Sequence, residues 1–413
     1  MRNLKASVAR VAEDIDALAL ITEPGRPWTR RAFTPLFASG RAWLDERFRQ
    51  AGLATHVDAS GNLIGRRAGG AGTRGVIMLG SHSDTVPDGG RYDGVAGVVA
   101  ALEVARILAE RGITLAHDLE IVDFLAEEVS LYGVSCLGSR GMAGVRPPEW
   151  LGRARDGVSL AAAIDAVGGT TSSAAATPRD DIRAFFELHI EQGPILEAEG
   201  RDIGVVTAIA GITRFEIKVT GRADHAGTTP MGRRRDALVA AAELVGWVDR
   251  TARAMAPAAQ HFTATVGELE IEPNAANVVP SLARLLIDAR AVDAADMDRF
   301  RALVAQEAAA CAERHGVATQ VATISDNPAR PMDAQLIDRL ETCCGKVGAR
   351  SRRLISGAGH DATWIARIAP AAMVFIPCVG GRSHTPEEEA SAADVALGAE
   401  VMLEAVLETD ALA

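Results

Sequence analysis

The sequence predicts a two-domain α/β protein: a mixed, mostly parallel sheet flanked by helices, interrupted by an inserted ferredoxin-like α+β domain. Short apolar runs alternate with longer amphipathic stretches, the rhythm of helices returning strands to a largely parallel sheet. At 413 residues the chain exceeds the usual single domain of roughly 100–200 residues. From Gly211 the rhythm changes to the order β-α-β-β-α-β, a ferredoxin-like unit. The expected boundaries are 1–210 and 328–413 for the two parts of the larger domain and 211–327 for the insert.

Four apolar runs shape the larger domain. "GVIMLGSH" ends at His82, "LEIVDFLAEE" ends at Glu127 and Glu128, "AFFELHIEQG" contains His189, and "AAMVFIPCVGGRSH" leads to His384. Each reads as a strand that delivers a histidine or carboxylate at or just beyond its C-terminal end. In open α/β sheets that edge binds ligands, because the βα loops converge there.

The insert begins with the alternating strand "GITRFEIKVTG" and the helical stretch "RRDALVAAAELVGWVDRTARA". Strands "FTATVGELEI" and "LARLLIDARAV", a helix "DRFRALVAQEAAACAERHG" and a last strand "VATQVATI" follow. Residues 66–75 and 168–180 are rich in Gly, Ala, Ser and Thr and read as loops. No repeat of fixed period is present.

Composition narrows the class. Lys+Arg 43 against Asp+Glu 54 gives −11, which argues against non-specific attraction to nucleic acid. The five cysteines lack the spacing of a disulfide framework or a zinc knuckle, so reduced thiols and a cytoplasmic location are expected. The start, "MRNLKASVARVAEDIDAL", has a helical rhythm and no continuous apolar core of a signal peptide. No segment offers about 18 uncharged apolar residues, so no membrane span is expected.

The chemistry concentrates in residues 79–97, "LGSHSDTVPDGGRYDGVAG", with one histidine and three aspartates. His82 and Asp84 form an H-x-D pair on an extended segment, where alternate residues point the same way. Asp93 follows after a Pro-Asp-Gly-Gly turn and opens a helix. Histidine with carboxylates suits zinc, manganese, cobalt or nickel, and an aspartate bound through both oxygens can bridge two such ions. Two ions about 3.5–4 Å apart can activate water while polarising a carbonyl. Taken singly, each residue has a plainer reading: a surface H-x-D, a charged turn at Glu127-Glu128, a core histidine at 189, a loop histidine at 384. Their arrival at four strand ends favours a common site.

On these residues the chain resembles a known family. "GSHSDTVPDGGRYDG", "FLAEE", "ELHIEQG", "GRADHAGTTPM" and "SHTPEE" are similar to motifs of the two-metal amidohydrolases related to aminoacylase and carboxypeptidase G. "HIEQGP", "HAGTTPM" and "SGAGHDA" resemble more closely the branch of N-carbamoyl-L-amino-acid hydrolase, β-ureidopropionase and allantoate amidohydrolase. The resemblance runs from about residue 10 to residue 405, and implies a zinc-exopeptidase-like fold whose insert is a lid that dimerises.

Carried over residue by residue, it implies two divalent ions, Zn, Mn, Co or Ni, bridged by Asp93. His82 and His189 would hold one; Glu128 and His384 would hold the other. Asp84 would fix the His82 ring through its second nitrogen. Glu127 would be the general base. Gln192, His225, Asn277, Arg290 and His360 match substrate contacts, with His225 a donor to a developing oxyanion and Arg290 a fork for a carboxylate. Arg290 could instead pair with Asp288, and His225 could instead serve a helix N-terminus. One departure stands out: relatives commonly carry an arginine before the aromatic that follows the glutamate pair, and here Leu131 precedes Tyr132.

The implied activity is hydrolysis of the carbamoyl C–N bond of an N-carbamoyl-L-amino acid. Alternatives on the same scaffold are allantoate or ureidoglycolate amidohydrolase, β-ureidopropionase, and an aminoacylase or dipeptidase. The partners expected are a small ureido or amide substrate bearing a carboxylate and a second copy of the chain, with no nucleic acid and no membrane. A non-catalytic metal or ligand-binding protein is a further alternative, but such a protein would not need Glu127. No Walker-type phosphate loop is present.

Overall fold

The structure is a computed structural model that describes residues 4–70, 74–171 and 178–411. Residues 71–73 and 172–177, within the two stretches read as loops, lie outside the described residues, as do positions 1–3 and 412–413. The chain forms two compact units. The larger holds Met1–Thr207, Met332–Leu354 and His360–Ala413, and the smaller holds Ala208–Pro331 and Ile355–Gly359.

The larger unit opens with helices α1 (Val8–Ala19) and α2 (Pro35–Gln50), each started by a hydroxyl cap. Ser7 Oγ accepts the Arg10 N–H at 3.3 Å and Thr34 Oγ1 the Phe37 N–H at 3.2 Å, satisfying donors that a helix start leaves free. There follow β1 (Ala54–Val57), β2 (Leu63–Arg67), β3 (Val76–His82), α3 (Val95–Glu110), β4 (Asp118–Phe124), α4 (Leu137–Met142), β5 (Ile182–Ile190) and β6 (Ile203–Ile209).

The smaller unit runs β7 (Gly211–Thr220), α5 (Ala237–Met255), β8 (Phe262–Glu272), β9 (Leu282–Ala291), α6 (Ala294–His315) and β10 (Ala318–Asn327). The chain then returns through α7 (Ala334–Val347), β11 (Ser351–Ser356), β12 (Ala371–Ile376) and α8 (Ala392–Ala411).

The sheet of the larger unit has the order β1-β2-β4-β3-β5-β12-β6, with β11 beside β6. Its centre, β4-β3-β5-β12, is parallel, and the flanking pairings β1-β2, β2-β4 and β12-β6 are antiparallel. Every residue of β3, β4 and β12 is buried. Strands covered on both faces have no wet side, hence the continuous apolar runs of β3 and β12, whereas β4 buries Asp118, Glu120 and Asp123. Each fully buried side chain such as Phe124, Phe185 or Phe375 contributes roughly 1.5–3 kcal/mol by leaving water. Helix α3 packs on β3, β4 and β5, and α8 packs against α3, α7 and α1. The contact with β5 depends on Gly97, where a Cβ would lie 2.2 Å from the Leu188 carbonyl oxygen.

In the smaller unit the sheet order is β8-β9-β7-β10, antiparallel throughout. Strand β7 alternates buried and half-buried residues, as expected when helices cover one face only. Its inward side chains Phe215, Ile217 and Val219 meet Leu244 of α5 and Phe300 and Val304 of α6 in one core. Helix α6 begins at Ala294, four residues before the Asp298 start read from the sequence, because Asp293 accepts the Ala295 N–H at 2.8 Å and caps it there. Among the described residues no helix is long and apolar enough to cross a membrane, and the five cysteines are free.

Candidate metal centre

The parallel centre of the sheet brings four strand ends to one edge. His82 is the last residue of β3 and lies opposite Phe124, the last residue of β4. Glu127 and Glu128 follow β4 by three and four residues, past Ala126 with its left-handed φ of 53°. His189 sits in β5 opposite Phe375 of β12, and His384 lies in the loop after β12 with a φ of 56°. Asp93 precedes α3.

These side chains converge. Asp93 Oδ1 is 3.0 Å from His189 Nε2 and 3.7 Å from His82 Nε2. Asp93 Oδ2 is 3.1 Å from His384 Nε2, which is also 3.1 Å from Glu128 Oε1. Two groups of ligand atoms result, His82, Asp93 and His189 in one and Asp93, Glu128 and His384 in the other, with the atoms of each group within 4.8 Å of one another. Glu127 Oε2 stands 3.8 Å from His82 Nε2.

The surroundings set the orientation of this cluster. His82 Nδ1 is 3.0 Å from the Asp84 carbonyl oxygen and 3.6 Å from its carboxylate. The Asp84 carboxylate instead accepts the backbone N–H groups of Glu127 and Glu128, each at 3.2 Å, so it steadies both glutamates. Gly94 lies against the His82 ring with a φ of 65°; a Cβ there would come within 2.4 Å of the imidazole. Only glycine meets both conditions without strain.

The donor set suits divalent cations. Burial, with the charges of Glu128 and Asp123 adding, pushes the Asp84 carboxyl well above the usual range. Burial and then Glu128 do the same to Glu127. Against the effect of burial, hydrogen bonds from His189 and His384 hold Asp93 well below it. Burial pulls His189 down, but its bond to Asp93 prevails and pushes it up to about 9. The bonds of His384 to Asp93 and Glu128 push it up to about 11. Buried acids thus draw positive charge between them, and imidazole with carboxylate is a donor chemistry that zinc, manganese, cobalt and nickel accept.

Two further sequence-predicted residues belong to the same place. Gln192 Nε2 donates to Asp93 Oδ2 at 3.1 Å and to Ser383 Oγ at 3.0 Å. The buried His360 ring stacks edge-on against His189 with centroids 4.6 Å apart. The remaining three are in the smaller unit. His225 is exposed, its Nδ1 accepting the Gly227 N–H, and it neighbours Asn277, whose carbonyl accepts the Ala226 N–H at 3.0 Å. Arg290 donates through Nε to Asp288 at 2.8 Å and through NH1 to the Gly357 carbonyl at 2.7 Å. The Asp288 pairing weighed from the sequence is therefore present.

Other participants carried little sequence signal. Glu388 Oε1 accepts the N–H groups of Tyr92 and Asp93, each at 3.0 Å, and Oε2 accepts the Ser383 hydroxyl at 2.8 Å. Glu187 on β5 accepts Ser81 Oγ at 2.8 Å, and burial pushes its carboxyl up to about 7. Cys136 Sγ lies 3.4 Å from Glu127 Oε1. Membership of the quoted "SHTPEE" motif was the one hint for Glu388. A second grouping, Glu243, Cys311 and His315, occurs in the smaller unit. There Arg314 and His315 both pair with Glu243, at 2.5 and 2.6 Å, so the charges are already balanced.

Comparison with known proteins identifies the family. A family model for peptidase family M20/M25/M40 matches residues 78–408. The chain is 38% identical over 407 residues to an N-carbamoyl-L-amino-acid amidohydrolase of Paenarthrobacter aurescens, covering 97% of each chain. It is 37% identical over 400 residues to a ureidoglycolate hydrolase of Oryza sativa subsp. japonica, covering 94% of this chain and 82% of the relative. It is also similar to the crystal structure of an amidase of the hydantoinase/carbamoylase family from Burkholderia multivorans, with a TM-score of 0.89, 36% identity and 98% of each chain covered.

Proposed function

This chain belongs to peptidase family M20/M25/M40, and from that premise we propose that it hydrolyses the carbamoyl C–N bond of an N-carbamoyl-L-amino acid. The observation that carries the reading is the division of labour among carboxylates. Asp93 offers one oxygen to each histidine group, while Glu127 stands beside them, 11% exposed, with Oε2 toward His82.

His82, His189 and Asp93 would hold one divalent ion, and Asp93, Glu128 and His384 a second; such ions supply Lewis acidity that polarises a carbonyl and acidifies water. Glu127 takes the proton of the attacking water on Oε2 as the new C–O bond forms, then gives it to the nitrogen of the departing amino acid as the C–N bond breaks. Carbamate leaves and decays to carbon dioxide and ammonia. One carboxylate can serve both halves of this task, accepting the proton in the first and giving it up in the second. His225 and Asn277 are proposed to bind the ureido oxygen, Arg290 the substrate carboxylate, and Gln192 and His360 to line the reacting group. A homodimer through the smaller unit is part of the proposal, as the resemblance implies.

The test is a hydrolysis panel of N-carbamoyl-L- and D-amino acids, N-carbamoyl-β-alanine, allantoate, ureidoglycolate, N-acetyl amino acids and dipeptides. N-carbamoyl-L-α-amino acids are expected to lead, with the D-isomers poor. The similarity to a ureidoglycolate hydrolase supports a second reading. Ureidoglycolate or allantoate leading the panel would replace the first reading by that one.

A further inference from the structure

Beside the proposed base lies a thiol with no assigned role. Cys136 directly precedes α4 with a left-handed φ of 50°. The segment it begins runs along the chain that carries the base: Cys136 N–H donates to the Glu127 carbonyl at 2.9 Å, Leu137 N–H to Ala126 at 3.1 Å, and Gly138 N–H to Leu125 at 2.8 Å. Three consecutive backbone bonds thus fix where the Cys136 side chain starts. From there Sγ lies 3.4 Å from Glu127 Oε1 and 3.6 Å from the Glu127 carbonyl oxygen, the carboxylate being the nearer and the charged acceptor.

The thiol is sealed on its other side. Cys136 is 6% exposed and packs in a small cluster with Trp364 and Ala143, and the Arg140 guanidinium lies over the Trp364 ring at 3.4 Å. Sγ of this buried cysteine is a hydrogen-bond donor to the Glu127 carboxylate. The two oxygens of Glu127 therefore differ. Oε1 is tied to Cys136, and Oε2 faces the His82 and Asp93 cluster.

We propose that Cys136 is a positioning residue for Glu127: its S–H donates to Oε1 and holds the carboxylate so that Oε2 carries the proton between water and leaving nitrogen. An S–H, like an O–H, can donate one hydrogen bond, and a single bond to Oε1 restrains the rotation of the carboxylate. Burial, with the charge of Glu127 adding, pushes the thiol well above its usual range, so the sulfur keeps its proton.

The inference rests on the proposal that Glu127 is the base, and the experiment separates the two. Cys136→Ala and Cys136→Ser are compared with wild type and Glu127→Gln on the best panel substrate, with metal content and thermal midpoint measured for each. Cys136→Ala is expected to lower kcat about tenfold, the scale of one hydrogen bond to a charged group, with KM and metal content unchanged. Cys136→Ser, which restores a donor, should recover most of the loss. Infrared spectra of metal-free protein supply a readout independent of turnover. The S–H stretch of Cys136, isolated as the difference between wild type and Cys136→Ala, should move to higher frequency in Glu127→Gln. A Cys136→Ala enzyme with wild-type kcat, an S–H band indifferent to Glu127→Gln, or a Cys136→Ser enzyme as slow as Cys136→Ala would each overturn the positioning role. Full turnover in Glu127→Gln would instead remove the base assignment on which it stands.

Discussion

Glu388 accepts the backbone N–H of Asp93 on Oε1 at 3.0 Å across 295 residues of sequence. The same carboxylate holds the Tyr92 N–H and the hydroxyl of Ser383, the neighbour of His384. One side chain therefore ties the loop bearing the central aspartate to the loop bearing a histidine of the second group. Glu388→Ala is expected to lower metal affinity by about 10–100-fold, the usual effect of losing a group that orients a ligand. Metal titration followed by calorimetry reads this, and unchanged affinity would mean that the 89–94 loop holds its shape unaided.

Metal removal tests the centre as a whole. Dialysis against a chelator should abolish turnover, and manganese, cobalt, nickel or zinc should restore it, with two ions per chain by elemental analysis. Turnover in rigorously metal-free protein would contradict the proposed chemistry.

Glu127 and Glu128 are neighbours with different expected roles. Glu127→Gln should keep near-normal metal content and lose turnover by at least about 10²-fold, as for removal of a positioned proton carrier. Glu128→Gln should lose occupancy of one ion. The opposite pattern would exchange their roles.

Arg41 and Asp123 form a buried pair behind the sheet edge. Nε lies 3.0 Å from the Asp123 carboxylate, and the side chains are 9% and 0% exposed. Arg41→Ala leaves the buried carboxylate without its hydrogen-bonded cation, with only the charge of buried Arg30 near it, and should destabilise the fold by about 3–5 kcal/mol, measured by chemical denaturation. A loss below about 1 kcal/mol would show that water or the Arg30 charge compensates Asp123.

Asp410, near the end of α8, accepts the N–H groups of Ala116 and His117 and the His117 ring Nδ1, at 3.0, 2.9 and 2.8 Å. Burial alone would raise this carboxyl, but those donors hold it below its usual value. A group whose folded pKa is depressed stabilises above its unfolded value, about 3.9 for aspartate, and that contribution disappears as the pH falls through the folded pKa. Asp410→Ala should therefore cost about 1–3 kcal/mol near neutrality, and the difference from wild type should shrink below about pH 4. A difference that stays constant down to pH 3 would assign the effect to packing.

The sequence by itself determined the architecture and the candidates. Continuous apolar runs such as 76–80 and 371–376 read as strands, and the 2-residue alternation of 211–219 as a strand with one wet face, because the period of burial is a local property of the backbone. Parallel strands end on one edge, so His82, Glu127, Glu128 and His189 could be read toward a common place. Which partner each side chain takes was decided only by the tertiary structure. Asp84 gives its carboxylate to two backbone N–H groups and its carbonyl oxygen to His82. Gln192 spends its amide on Asp93 and Ser383, Arg290 spends Nε and NH1 on Asp288 and Gly357, and Cys136 meets Glu127. Burial periodicity says which way a side chain faces. It says nothing of what stands opposite, because that neighbour comes from another strand or loop and its angstrom-scale distance follows from how whole elements pack.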